Sequence, residues 1–415
     1  MSKRYPSGFI STFYDPLKNP NAPTIGAATG DNESASVAFT APTNVGGSAI
    51  TGYGAVSSPE GRTATSATSP ITVTGLTNGT AYTFAVWAIN TYGPSAYSGY
   101  SGSATPALQR ALFASGIEVG GGSPSNTIQY VSISSTGNTA GFGELSIARY
   151  MLSGLGSTTR SVFSGGEGGS LNGYERLDYV TPSTTGNATD FGRMTANGRN
   201  SSGAGSNDTR GLFVAGYNAT YGPGFMNVVD YITIASTGNA TDFGDTSITV
   251  SNLAAVASPT RVVWAAGYNG TFPGTIGYFT IATTGNSSSF GTILSSKEAW
   301  YLASACSNTR GLFAGGSTTT GYAGASNNIN YITIATTGNS ANFGDLTVRR
   351  WQLAGTSSGT RAIFAGGAIH TNGAATNVID FVTIASTGNA SDFGDLIFGS
   401  PTQMAGTSNC HGGLS

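Results

Sequence analysis

The sequence predicts an all-β chain: a β-sandwich followed by a six-bladed β-propeller closed by its own C-terminal strand. Three observations predict it. The phrase Thr-Gly-Asn, three variable residues, Phe-Gly is written six times, at 136–143, 185–192, 237–244, 284–291, 337–344 and 387–394. It recurs about every 50 residues, a period typical of propellers and solenoids, whose units cannot bury an apolar face alone. Each period holds four short strand signals separated by turn residues. The composition agrees: charged residues are only 9% and Gly numbers 62 of 415, yet aromatics reach 10% and Ile, Val and Tyr alternate regularly. That pattern argues for a β-rich fold and against disorder.

Composition also excludes. A net charge of -2 gives no field that would draw nucleic acid or an acidic membrane. No apolar run reaches the roughly 20 residues of a membrane span. The start, Met1-Ser2-Lys3-Arg4-Tyr5-Pro6, lacks the apolar region of a signal peptide, so extracellular work would follow another exit such as lysis. Cys306 and Cys410 form no Cys-x-x-Cys pair and are expected as small buried residues of inner strands; His370 and His411 suggest no triad. No metal or other cofactor is expected.

In chain order, residues 1–20 read as an aromatic arm. Tyr5, Phe9, Ile10, Phe13 and Tyr14 are its docking candidates, and Pro6, Gly8, Pro16 and Pro20 exclude a long helix. Residues 21–107 read as a β-sandwich, with strand signals at 35–39, 71–74, 76–80 and 82–90. Leu76 followed by Tyr82 fits a tyrosine corner. With the turn Asn90-Thr91-Tyr92-Gly93-Pro94, this stretch resembles a fibronectin type III domain, although Phe39 stands where that family usually has Trp. The resemblance implies a spacer or a weak binding module.

Residues 108–415 carry the six units. Each opens with Arg followed three residues later by an aromatic: Arg110/Phe113, Arg160/Phe163, Arg210/Phe213, Arg261/Trp264, Arg310/Phe313 and Arg361/Phe364. Gly follows three residues after each aromatic and permits a bend or a close approach. A variable loop, a strand bearing Tyr or Phe, the Thr-Gly-Asn turn, and Phe-Gly complete the order. This order resembles kelch repeats and implies four strands per blade. The frame is offset: the first unit lacks an inner strand before Arg110, and residues 402–414 supply an inner strand with no unit after it. The C-terminal strand is therefore expected beside 110–116, which removes an exposed edge.

Turns alternate between the two ends of such blades. The Thr-Gly-Asn end is nearly uniform. Asn187, Asp190 and Asp245 there could suggest calcium ligands, but the third variable position is Asp only at 190, 242 and 392, so local capping of the turn explains the pattern better. The opposite end varies and carries the candidate ligand-binding residues Arg149, Tyr150, Tyr217, Tyr221, Tyr268, Trp300, Arg350 and Trp351. Aromatic faces stack on sugar rings and Arg offers planar donors. Glycosidases need a positioned carboxylate pair, and that end offers few carboxylates, Glu118, Glu167, Glu175 and Glu298, so no enzyme is expected.

Taken together, the aromatic arm, the fibronectin-like module and the Ser/Thr/Gly/Asn-rich repeats are similar to virion proteins of bacteriophages, including those of marine bacteria and cyanobacteria. The resemblance implies a tail, fibre or capsid-displayed structural protein, assembled in the host cytoplasm. Its partners would be other virion proteins, reached through the arm, and a host-surface glycan, reached through the propeller. A decorative role without a ligand, a glycan-degrading enzyme and a homo-oligomeric state stay open at this point.

Overall fold

The computed structural model describes residues 17–118, 123–168, 175–195, 198–218, 224–293, 300–320, 322–369, 374–399 and 401–414. The docking candidates Tyr5, Phe9, Ile10, Phe13 and Tyr14 lie outside these residues, as do Tyr221, Glu298 and His370. The fold is all-β, built of small antiparallel sheets, and divides into two compact units, Met1–Leu108 and Gln109–Ser415. Among the described residues no helix is long and apolar enough to cross a membrane.

In the first unit, strands Thr24–Asp31, Ser34–Thr40 and Ile71–Thr74 form one sheet; Thr63–Ser66, Gly52–Ser58, Thr83–Asn90 and Gly93–Pro94 form another. Alternation places Ala35, Val37 and Phe39 inward, where they share a core with Tyr53, Val73, Phe84 and Val86. Residues 76–80 are not the expected strand but a turn. Its Thr77 N–H donates to the Tyr82 hydroxyl at 3.0 Å, the bond a tyrosine corner makes. After Pro94 the chain follows the edge of Thr83–Asn90 without strand alternation. Ser95, Ser98 and Ser101 each donate a main-chain N–H to Ala88, Val86 and Phe84, and each hydroxyl accepts the N–H of that same residue. This period of three satisfies the sheet edge.

Among its described residues the second unit forms six four-stranded sheets. Their inner strands are Ser153–Gly156, Gly203–Ser206, Ala254–Ala257, Ala303–Cys306, Ala354–Ser357 and Ala405–Ser408. The last pairs antiparallel with Arg110–Ala114, setting Gly406 opposite Phe113. The first sheet therefore takes its inner strand from the far end of the chain. Each inner strand contacts the next, and Ala405–Ser408 also contacts Ser153–Gly156, so the contacts run in a closed circuit. Small residues allow this approach: a Cβ on Gly154 or Gly406 would press on the main chain of Gly406 or Gly355 respectively.

The six-fold phrase is the seam between sheets. The Asn of each Thr-Gly-Asn accepts the N–H of the residue after Phe-Gly in the preceding repeat: Asn187 from Glu144, Asn239 from Arg193, Asn286 from Asp245, Asn339 from Thr292 and Asn389 from Asp345. Asn138 closes the series by accepting from Asp395 at 3.0 Å. The motif Gly donates to the preceding Phe carbonyl in the same order, Gly137 to Phe393 included. A side chain on the Gly of Phe-Gly would collide with that neighbouring Gly carbonyl, as at Gly143 against Gly186. The Asn thus joins two sheets, in place of the local cap expected.

The opening Arg has a matching task. Its guanidinium lies over the aromatic ring of the third strand, from 4.3 Å for Arg110 on Tyr130 to 4.8 Å for Arg361 on Phe381. Its Nη1 donates to a carbonyl of the next repeat: Arg110 to Pro182, Arg160 to Ile234, Arg210 to Ile281, Arg261 to Ile334 and Arg310 to Ile384. Arg361 of the last repeat donates to Ile133 of the first.

Candidate functional site

At the end of the sheets away from these seams, six short bridges hold the sheet-to-sheet connections against the variable loops. They pair Tyr150 with Glu167, Asn200 with Tyr217, Ser251 with Tyr268, Trp300 with Ser317, Trp351 with Ala368 and Thr402 with Ile117. The Gly three residues after each second-strand aromatic makes the loop bend toward the bridge, with φ from 86° at Gly316 to 128° at Gly216.

The residue after each bridge is non-glycine and left-handed: Met151, Ser201, Asn252, Tyr301, Gln352 and Gln403 have φ between 55° and 60°. Their main chains bond from repeat to repeat: Ser201 N–H to Met151 O, Asn252 to Ser201, Tyr301 to Asn252, Gln403 to Gln352 and Met151 to Gln403. Such conformations cost about 1 kcal/mol or more each, and this linked geometry offsets the cost. The six residues rim a cavity of about 120 Å³ whose walls are the first residues of all six inner strands.

Among the described residues, Tyr301 is the only ionisable side chain lining this cavity. Burial raises its phenol above the ordinary tyrosine value, against bonds with Gln352 and Gln403 that lower it, so the hydroxyl stays neutral. Asn252 Nδ2 donates to Ser251 Oγ at 3.0 Å, while its Oδ1 is buried without a partner among the described residues.

The bridges also assemble aromatic rings. Tyr217 lies 5.2 Å from Phe225, and Phe225 lies 5.7 Å from Tyr268. Tyr268 lies 5.3 Å from Phe272 and 5.1 Å from Trp300. Trp300 is 4.6 Å from Tyr301 and 5.6 Å from Trp351. One half-buried series of rings thus crosses four neighbouring repeats and reaches the cavity rim at Tyr301. Trp300 Nε1 donates to Thr319 O at 3.0 Å; Trp351 Nε1 is buried without a partner among the described residues.

Of the expected site residues, Tyr217, Tyr268, Trp300 and Trp351 come together in this series, and Tyr150 takes the corresponding place in the second repeat. Arg149 and Arg350 do not face the medium. Both are fully buried, with Arg149 on Asp178 at 3.0 Å and Arg350 on Asp380 at 2.8 Å. Arg199 on Asp230 repeats the arrangement. Arg350 also donates to the carbonyls of Phe364, Gly366 and Val378. Burial pulls Arg149 down to about 10, and Asp178 opposes the shift, so the guanidinium stays charged at neutral pH. These guanidiniums are spent on holding the connections, and the Nε–H donors they leave unpaired are buried away from the medium. The rim residues were missed because five different residue types, Met151 among them, occupy one repeat position; their signal is that shared position, one residue past Tyr150, Trp300 and Trp351.

The other mouth of the circuit is occupied. Cys410 does not sit inside an inner strand as expected; it follows one and is half-buried, whereas Cys306 is buried in its strand, where loss of solvent raises its thiol. Beyond Cys410 the chain crosses between the inner strands. His411 Nε2 lies 2.9 Å from Gly156 O, and Gly412 N–H donates to Cys306 O. Gly413 fits against Ser206 so closely that a Cβ there would overlap the Ser206 carbonyl. The cavity between the six rim residues is therefore stopped behind by residues 410–414. No family model matches this chain, and no curated protein matches it.

Proposed function

We propose that this chain is a bacteriophage virion structural protein that adheres to a host-surface glycan, its second unit being a six-bladed kelch-like β-propeller and its first a fibronectin type III-like spacer. The closed circuit of inner strands, and the seams that return from the last repeat to the first, support the propeller reading. The two-sheet core and the Tyr82 bond support the fibronectin-like reading. Residues 1–20 would dock the chain to the particle.

The observation that carries adhesion is the ring series from Tyr217 to Trp351. The repeat framework needs none of these rings at their loop positions, since Ser317 and Ala368 fill the places of Tyr217 and Tyr268 in other repeats. Yet the structure gathers them into one surface beside a polar cavity. Rings so placed present apolar faces to pyranose C–H groups. The test is binding of the intact chain to host cells and to a glycan array, alone and as the double variant Trp300→Ala/Trp351→Ala. Glycan-dependent binding lost in the variant supports adhesion. Silence on every glycan and on host cells, with many copies per particle, would favour a decorative role.

A further inference from the structure

We infer that the cavity between Met151, Ser201, Asn252, Tyr301, Gln352 and Gln403 takes the terminal residue of an uncharged glycan, with the ring series seating the sugars that follow. This rests on the adhesion reading and adds to it the chemical class and the point of recognition.

Four features lead to it. First, the cavity is blind. Residues 410–414 stop the far mouth, so the space suits the end of a chain and cannot thread its middle. Second, its size is limited. A volume of about 120 Å³ exceeds the roughly 30 Å³ share of a single water several times over, so it would enclose part of one terminal ring and leaves no room for an oligosaccharide.

Third, the lining is polar without being charged. Ser201, Asn252, Gln352, Gln403 and the neutral Tyr301 hydroxyl are groups that bond hydroxyls and amides. The cations nearest in sequence, Arg149, Arg199 and Arg350, are matched to Asp178, Asp230 and Asp380. A uronic or sialic acid carboxylate would lose its water here with no cation among the described residues that line the cavity, a heavy cost. Fourth, Asn252 Oδ1 is buried and has no partner among the described residues, and a turn of its side chain would present it to a sugar hydroxyl.

The route outward is continuous. Tyr301 belongs to the rim and touches both Trp300 and Trp351, at 4.6 and 5.4 Å, so a chain leaving the cavity passes directly onto stacking surface.

The experiment uses the full chain and calorimetric or saturation-transfer titration. The probes are methyl glycosides of glucose, galactose, mannose and N-acetylglucosamine, set against glucuronic acid and sialic acid, with matched oligosaccharides of each. Two variants are compared: Asn252→Gly, which suits the left-handed backbone while removing the acceptor, and Trp351→Ala. At least one neutral glycoside should bind and the acids should not. Asn252→Gly should weaken that glycoside about tenfold, and Trp351→Ala should weaken only the longer ligand. Unchanged binding by Asn252→Gly, with loss in Trp351→Ala, overturns the cavity assignment and leaves adhesion standing. Preference for the acids overturns the assignment too. No binding of any sugar by the native chain overturns both. Matching thermal unfolding of each variant separates binding from folding.

Discussion

Asn138 Oδ1 accepts the main-chain N–H of Asp395 at 3.0 Å although 257 residues separate them. The same bond joins every other pair of neighbouring repeats, so the closing seam is chemically one of six. Asn138→Ala should therefore cost about 1 kcal/mol, the usual net worth of such a bond. Asn239→Ala, at an internal seam, should cost the same to within about 0.5 kcal/mol. Urea unfolding of both variants checks this; a closing seam worth nothing would mean that the circuit is open in solution.

Trp264 stands where the other repeats have Phe, and Gly277 faces it where they have Gln129, Asp178, Asp230, Asn330 and Asp380. A Cβ on Gly277 would lie 2.6 Å from the indole. Gly277→Asn alone should destabilise by roughly 1–3 kcal/mol through overpacking. Adding Trp264→Phe recreates the Phe313/Asn330 pair and should recover most of the loss. A double-mutant cycle showing simple additivity would contradict this coupling.

Arg350 and Asp380 share a fully buried ion pair at 2.8 Å. Removing one partner strands a buried charge, so Asp380→Ala should cost about 3–5 kcal/mol. Its effect on glycan binding should follow the folded fraction alone. Thermal unfolding beside a titration at a temperature where the variant is folded tests this.

His411 is held as one neutral tautomer. Nδ1 accepts the Gly413 N–H at 3.1 Å, which leaves Nε2 to donate to Gly156 O. Burial lowers its pKa below the ordinary 6.5, against the Gly156 bond and the Asp208 charge. The unfolded chain then binds the proton more readily, so stability should rise with pH and level off above about 6.5. Below that, residues 410–414 should loosen first. Hydrogen exchange at Gly412 and Gly413 between pH 5 and 8 reads this directly, and His411→Asn should flatten the dependence.

Tyr82→Phe should destabilise the first unit by about 1 kcal/mol, since Thr77 N–H loses its acceptor. The melting of the second unit should not move.

The sequence shows position within a repeat better than partnership between repeats. Strand sites, the bend glycines and the pairing of Ala405–Ser408 with Arg110–Ala114 were legible because each repeats a local pattern. The Thr-Gly-Asn side chain was misread as a local cap because its partner lies about 45 residues away in another sheet. Arg149 and Arg350 looked like surface donors because nothing local shows that Asp178 and Asp380 lie beneath them. The strand signal at 76–80 misled because the small polar residues of a turn and an edge strand are the same. Asn252 and Tyr301 could not stand out, since the cavity they rim exists only when all six repeats meet. Likewise His411 shows no local sign that it reaches Gly156.

The pairing of Ala405–Ser408 with Arg110–Ala114 sets a timetable for biosynthesis. The ribosome releases the second of these segments nearly three hundred residues after the first, so Phe113 must wait through the whole translation of the repeats for its neighbour. A prematurely terminated product would carry five finished sheets and one with a bare backbone edge, open to pairing with another chain. Only a polypeptide translated through Ala405–Ser408 can hide that edge, so the first sheet is finished only after the other five have been made.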